Sequence, residues 1–266
     1  QGRKFSKSLG NGIDPFDMVN LYGADALRYY LATDVAPGTD MRFDEEKIKS
    51  TWNYINKIWN ASRFVLSNIE DLESISLTEL KNEDKWILTK YEKLVKSVTK
   101  HMDKYEFNLA ASEIYEFTWN NFCDYYIEMC KFSLESEVTQ SVLCKVLTGI
   151  LKMLHPFMPF VTEEIYQMLP IKEKESIMIS DYPKYEKKLV FENIHDEVEE
   201  MVTFIKNYRN VKQENNIPKD HKVLFEKGKN DLIINMLKIN DNLIEEKLDI
   251  KSYKVFTNNI SAIMYF

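Results

Sequence analysis

Glycine and proline are scarce in this chain, seven of each in 266 residues. These residues break helices and open turns, so their rarity favours long helices with short connections. Cysteine is rarer still: Cys123, Cys130 and Cys144, with no C-x-x-C pair and with His155 apart from them beside a proline. That spacing excludes a zinc cluster or a disulfide framework of familiar pattern, and reads as reduced core thiols in a cytoplasmic protein. No apolar run approaches the roughly 20 residues of a membrane span, and no signal peptide opens the chain. No G-x-x-x-x-G-K motif is present, so a P-loop is excluded. No repeat of fixed period is visible. Basic charge is also short, with a formal net charge of −7. This argues mildly against nucleic-acid binding, because phosphate contacts need lysine and arginine. The deficit is uneven, however. The first sixty-odd residues are close to balanced, and a local basic face can bind RNA on an acidic protein.

What is present is 44% hydrophobic residues, enough for a globular core. Near the start lies Lys4-Phe5-Ser6-Lys7-Ser8-Leu9-Gly10-Asn11. Two lysines flank a serine, a second serine follows, and a glycine lets the backbone turn. Such a loop can place ammonium groups and hydroxyl donors around a polyphosphate. Taken alone, K-x-S-K-S more often marks a solvated basic turn, because short motifs recur by chance.

The coarse helix grammar is clear. Asp14 suits an N-cap, Pro15 the first helical position, and Gly23 the stop. A second helix is expected over 24–32, with a turn at Pro37-Gly38. Asp44 caps a long helix to about residue 69, with Glu45 and Glu46 in its first turn. After a polar connection at 70–82, helices are expected over 84–105, from Asn108 through Ile127, over 137–154, and from Thr162-Glu163-Glu164 onward. A further helix spans 192–214, after an extended link at 176–183. Strands at Val223–Phe225, Tyr253–Phe256 and Ala262–Tyr265, with a helix over 231–239, close the chain. The fold class is therefore mainly α: an antiparallel helix bundle with a small C-terminal α/β or α+β subdomain.

In the long helix, Ile48, Trp52, Ile55, Trp59 and Leu66 share one face at 100° per residue. Asn53, Lys57, Asn60 and Phe64 fall nearly opposite, with Arg63 at the border. Phe64 has two readings. It packs on a neighbouring helix, or it stacks an unpaired base while Lys57 and Arg63 hold phosphate or base edges. The aromatics of 116–128 recur at helical spacing and read mostly as core. His155 reads as packing and capping. Arg209, Lys212 and Lys219 read as a solvated face or as added phosphate contacts.

The run Gly2-Arg3-Lys4-Phe5-Ser6-Lys7-Ser8-Leu9-Gly10-Asn11, followed by Tyr22-Gly23-Ala24-Asp25-Ala26-Leu27-Arg28, resembles the second nucleotide-loop signature of class I aminoacyl-tRNA synthetases. Phe5 stands where that signature usually has Met. Within the class, Gly12-Ile13-Asp14-Pro15 and Ala36-Pro37-Gly38-Thr39-Asp40-Met41-Arg42-Phe43 look most like the valyl enzymes, with the isoleucyl and leucyl enzymes as siblings. Asn56–Phe64, Glu116–Glu128 and His155–Tyr166 resemble that class's anticodon-binding bundle. The resemblance implies an ATP-dependent ligase joining valine to its tRNA. Lys7 and Lys4 would be catalytic; Lys4, Ser6, Lys7 and Ser8 would bind ATP. Lys57, Asn60, Arg63 and Phe64 would meet the tRNA anticodon. Mg²⁺ is expected with ATP in the parent enzyme, and no metal site here. The parent is expected to be a cytoplasmic monomer. Three parts are implied: 1–43, the end of a catalytic domain; 44–175, the anticodon-binding bundle; and 176–266, the small subdomain. The H-I-G-H-type motif and a Rossmann half are missing, and Gln1 opens inside a motif. A fragment is expected, and one that makes no adenylate by itself. A non-catalytic tRNA-binding module is the other reading.

Overall fold

Capping chemistry sets the first elements. The computed structural model describes residues 5–6, 10, 12–34, 38–69, 72 and 75–266. Helix α1 (Pro15–Tyr22) begins where the Asp14 carboxylate accepts from the Phe16 N–H at 2.9 Å, with Pro15 in the first turn. It stops at Gly23, whose φ of 85° no β-carbon-bearing residue adopts readily. Helix α2 (Ala24–Thr33) follows at once. Helix α3 (Glu45–Leu66) starts on the Asp44 carboxylate, which accepts from the Glu46 N–H at 3.0 Å.

Helix α4 (Asn82–Asp103) and helix α5 (Phe107–Glu116) pack on one another. Helix α5 runs without a break into a π-helical stretch, Phe117–Tyr126, and a last α-turn, α6 (Ile127–Cys130). Helix α7 (Glu137–Leu154) is capped by the Ser136 hydroxyl and is buried along most of its length. Gly149 in its middle is required by close approach: a β-carbon there would sit 2.1 Å from the Tyr91 hydroxyl oxygen. Helix α8 (Pro159–Gln167) and helix α9 (Glu192–Glu214) complete the bundle. The fold is mainly α, an antiparallel bundle, as the punctuation and periodicity predict.

Helix α9 lies along α4. Glu199 accepts from the Trp86 indole N–H at 2.8 Å and pairs with Lys90, and the Thr89 hydroxyl accepts from the Phe191 N–H. Beyond it, strands β1 (Lys222–Lys227), β2 (Ser252–Phe256) and β3 (Ser261–Tyr265) make an antiparallel sheet in the order β1-β3-β2, with helix α10 (Asp231–Leu237) between β1 and β2 in sequence. Val223, Val255, Ala262 and Met264 face inward and join the same hydrophobic core as the bundle. A second, smaller cluster (Met18, Ala26, Leu27, Tyr30 and Ile48) lies beneath α1 and α2.

Several boundaries differ from the sequence reading. The segment 176–183, expected as extended, contains a short 3-10 turn at Ile177–Ile179. Helix α8 begins at Pro159, three residues before the expected start, for a reason that lies far away in sequence. The buried face of α3 is Ile48, Thr51, Tyr54, Ile58, Ala61, Ser62 and Val65. It is turned by roughly 80° from the expected one, at 100° per residue. Trp52, expected on the apolar face, is 43% exposed.

A buried pair closes the junction of α9 and β1. His221 donates from Nδ1 to the Pro218 carbonyl at 2.8 Å, and its Nε2 accepts from the Tyr208 hydroxyl at 2.5 Å. Burial, with Lys212 nearby, holds the imidazole below its ordinary pKa, against the opposing pull of the backbone contacts. The neutral ring is therefore the folded form, and the unfolded chain binds the extra proton first. Its contribution is complete above the unfolded value of about 6.5 and is lost as pH falls from there toward the lower folded value. His155, also depressed by burial, acts in the same direction. Substituting His221→Gln should remove one share of this slope, up to about 1.4 kcal/mol per pH unit below 6.5. Urea unfolding of both proteins at pH 7.5, 6.5 and 5.5 checks this; parallel curves would refute it.

Candidate nucleic-acid interface

The outward face of α3 is polar and aromatic. Turning with the helix, it carries Asn53, Asn56, Lys57, Asn60, Arg63 and Phe64, none of them fully buried. The π-helical stretch lies beside it. A π-turn closes on the fifth residue instead of the fourth, so its side chains drift away from α-helical faces. Phe117, Phe122 and Tyr126 enter the core, while Trp119, Asn120, Asn121 and Asp124 are left partly accessible. Trp119 stacks on Tyr115 with centroids 5.6 Å apart and planes 23° apart.

The structure places the four residues predicted to meet RNA on this one face, in different circumstances. Lys57 is held: its ammonium pairs with Asp124 and sits 4.0 Å above the centre of the Trp119 ring. It is a positioned, largely neutralised cation. Arg63 and Asn60 are exposed, and no side-chain partner is found for either among the described residues. Phe64 is half-buried, packed against the core, with the Lys131 ammonium 5.7 Å from its ring centre. Lys131 itself pairs with Glu128. Asparagine amides can read base edges through paired donors and acceptors, and aromatic faces can stack bases. The face thus offers hydrogen bonding and stacking with one unpaired guanidinium. Trp119 was missed by the sequence reading as a surface residue, because nothing in F-T-W-N-N-F-C-D announces a π-helix.

Of the lysine-loop residues, Lys4, Lys7 and Ser8 lie outside the described residues. Ser6 is half-buried, and Phe5, 53% exposed, meets the Phe43 ring at 6.4 Å. A groove of about 850 Å³ lies elsewhere, between α7 and the segment 171–186. Its lysines are already paired, Lys145 with Glu186 and Lys152 with Glu173, and it shares no lining residue with the α3 face. Among the described residues, no group of three or more His, Cys, Asp or Glu side chains is placed to hold a metal ion, and no helix is long and apolar enough to cross a membrane.

By its fold the chain is a helix bundle with a small appended sheet, and it presents a polar, aromatic and asparagine-rich face on α3 and the π-helical stretch. Two family models match the chain: the anticodon-binding domain of tRNA ligase over residues 84–227, and the class I tRNA synthetases for I, L, M and V over residues 1–44. The first spans more than half of the chain, and the chain belongs to that anticodon-binding family. The valine–tRNA ligase of Bacillus cereus is 49% identical over 255 residues, 92% of this chain and 29% of that protein. The valine–tRNA ligase of Pseudothermotoga lettingae is 50% identical over 220 residues, 82% of this chain and 25% of its own length. The chain thus spans under a third of the curated relatives it matches. A solved ternary complex of Agrobacterium radiobacter K84 agnB2 LeuRS with tRNA and LeuAMS shares the fold, with a TM-score of 0.59 at 22% identity over 71% of this chain and 23% of that one.

Proposed function

We propose that this chain is the tRNA-gripping portion of a valine–tRNA ligase and carries that enzyme's second ATP-contacting loop. The observation that carries the reading is continuity: one alignment to valine–tRNA ligases, at 49% identity, runs through 92% of the chain, across loop and bundle alike. In this reading residues 1–43 end the catalytic domain, 44–175 grip the anticodon arm, and 176–266 form an appended subdomain. The valine carboxylate attacks the α-phosphate of ATP, and pyrophosphate leaves. Negative charge grows on the bridging and leaving oxygens, where the ammonium of Lys7, assisted by Lys4, lowers the barrier. Ser6 and Ser8 hold the loop or donate to phosphate oxygens, and Mg²⁺ accompanies the nucleotide. The parent enzyme works as a cytoplasmic monomer, where the three thiols of this chain stay reduced.

On the bundle, Phe64 stacks a base, Asn60 reads a base edge, and Arg63, with no side-chain partner among the described residues, meets phosphate or base. Lys57, braced by Asp124 and Trp119, presents its remaining N–H donors. The test is binding of valine tRNA to this chain at two salt concentrations. Phe64→Ala should weaken binding by about 5- to 150-fold, the range of ~1–3 kcal/mol per stacked base. Arg63→Ala should lower the salt slope by about one if it meets phosphate. A tRNA with an exchanged anticodon should bind more weakly. Binding indifferent to Phe64, Arg63 and anticodon would refute this assignment of the face.

A further inference from the structure

Helix α8 has no cap of its own. Its N-cap position is Met158, which offers no side-chain acceptor, and Pro159 follows. The first free N–H groups are instead taken by a residue 135 positions earlier. Asp25, in α2, accepts from the Phe160 N–H at 3.3 Å through one carboxylate oxygen and from the Val161 N–H at 2.7 Å through the other. The carboxylate is 6% exposed. A negative charge at a helix N-terminus satisfies orphan donors and meets the positive end of the macrodipole. Arg28, one turn further along α2, donates to the Pro156 carbonyl just before α8, and Tyr29 donates to the Ala111 carbonyl of α5 at 3.1 Å. One face of α2 is thereby fastened to the bundle by four hydrogen bonds from three side chains.

The other face of α2 reaches toward the lysine loop. Phe5, between Lys4 and Ser6, meets Phe43, and Phe43 meets Tyr30 edge-on at 6.1 Å. The Tyr30 hydroxyl donates to the Arg42 carbonyl and accepts from the Asp44 N–H. Helix α2 is thus a ten-residue rod with the loop's apolar anchor at one side and the bundle's α5 and α8 at the other. No other polar contact in the described structure spans from the stem helices α1 and α2 to α8.

We infer that Asp25 is a positioning residue: as the detached cap of α8 it fixes the angle between the anticodon bundle and the lysine-loop module. This rests on the ligase reading above. When tRNA is gripped at the bundle, its acceptor end must arrive at the reaction centre, and a displacement of about 1 Å at that centre can cost up to 10²-fold in rate. Freeing α8 from α2 loosens this geometry without touching ATP, valine or the RNA-facing side of α3. The step that needs no tRNA is indifferent to the change, and the step that needs it is not.

The experiment uses a full-length ligase carrying this chain, with Asp25→Ala and Asp25→Asn. Valine-dependent ATP–pyrophosphate exchange is measured without tRNA, and charging is measured with it. Asp25→Ala should leave exchange within about twofold while lowering kcat for charging about tenfold, with KM for tRNA little changed. Asp25→Asn, which keeps a carbonyl oxygen for the Val161 N–H, should recover most of the loss. Because Asp25→Ala removes a cap and can disturb folding, Val161→Pro offers a second route. It deletes the N–H in a first turn where proline is tolerated and should reproduce the same split in kcat. Equal losses in exchange and charging, or unchanged charging in both Asp25→Ala and Val161→Pro, would overturn the proposal. A wild-type enzyme inactive with valine in both assays would instead overturn the ligase reading.

Discussion

Substituting Asp84→Ala should cost about 3 kcal/mol of stability, a large share of what a domain possesses. The carboxylate is wholly buried and serves three elements at once. One oxygen accepts from the Tyr126 hydroxyl of the π-helical stretch at 2.7 Å. The other accepts from the Thr139 hydroxyl of α7 at 3.0 Å and from the Lys81 N–H at 3.1 Å, closing the start of α4. Alanine strands two hydroxyls, each costing ~1–3 kcal/mol when buried without a partner, and removes a cap contact worth about 1 kcal/mol. Part of this is offset, because a buried carboxylate carries a desolvation cost that pushes its pKa up. Asp84→Asn keeps one acceptor and should lose only ~1–2 kcal/mol. Urea unfolding followed by circular dichroism reads both. A loss below about 0.5 kcal/mol for Asp84→Ala, the range of an ordinary surface change, would mean that the network contributes nothing net.

That network shows where sequence reading succeeds and where it stops. Contacts between near neighbours leave a trace in the chain. Asp14-Pro15 and Asp44-Glu45-Glu46 announce helix starts because the cap and the N–H it serves lie two residues apart. The short apolar run Ala262–Tyr265 announces a strand because a run of this length, bounded by Asn258, Asn259 and Ser261, is too short for a buried helix. Contacts across the fold leave no such trace. Thr162-Glu163-Glu164 reads as the start of α8, whereas the helix begins at Pro159 and its N-terminal acceptor is the distant Asp25. The α3 face was centred on its tryptophans, yet Thr51 and Ser62 turn inward, returning their hydroxyls to the Lys47 and Ile58 carbonyls. Such back-bonding satisfies the hydroxyls, so that small polar residues can lie on the buried face.

The candidate site divides in the same way. Phe64 can be picked out because it breaks the amphipathic pattern of a single helix, and Asn60 and Arg63 because they lie on or beside the same polar face. That Lys57 is braced depends on Asp124, 67 residues on, and on a π-helical register that brings Trp119 beneath its ammonium. An ion pair this exposed contributes little to stability. Its consequence is directional, since the cation is held in one place above a ring instead of sweeping the surface. An Asp124→Asn change leaves Lys57 stacked but unneutralised, which separates the charge of the face from its shape.

The largest functional effect is expected at Lys7. On the proposed ligase reading, Lys7→Ala in the full-length enzyme should lower the rate of valyl-adenylate formation about 10²- to 10³-fold, the range found when one stabilising donor to a developing oxyanion is removed. Binding of tRNA should stay within about twofold, because the bundle face lies on α3 and the π-helical stretch. The sequence sets two lysines three residues apart around a serine, and the backbone then turns at Gly10, whose φ of 58° is a conformation that favours glycine. Lysine is also the right cation for the task. Its compact charge on a flexible stem can follow phosphate oxygens as charge shifts from the bridging to the leaving position, whereas a guanidinium is committed to a planar fork. Lys7→Arg therefore preserves the charge and should still lose at least about tenfold of the rate. Single-turnover adenylate formation, with tRNA binding measured on the same preparations, distinguishes the outcomes. Equal losses in both quantities would assign Lys7 to folding of the loop, and an unchanged rate would remove it from the reaction.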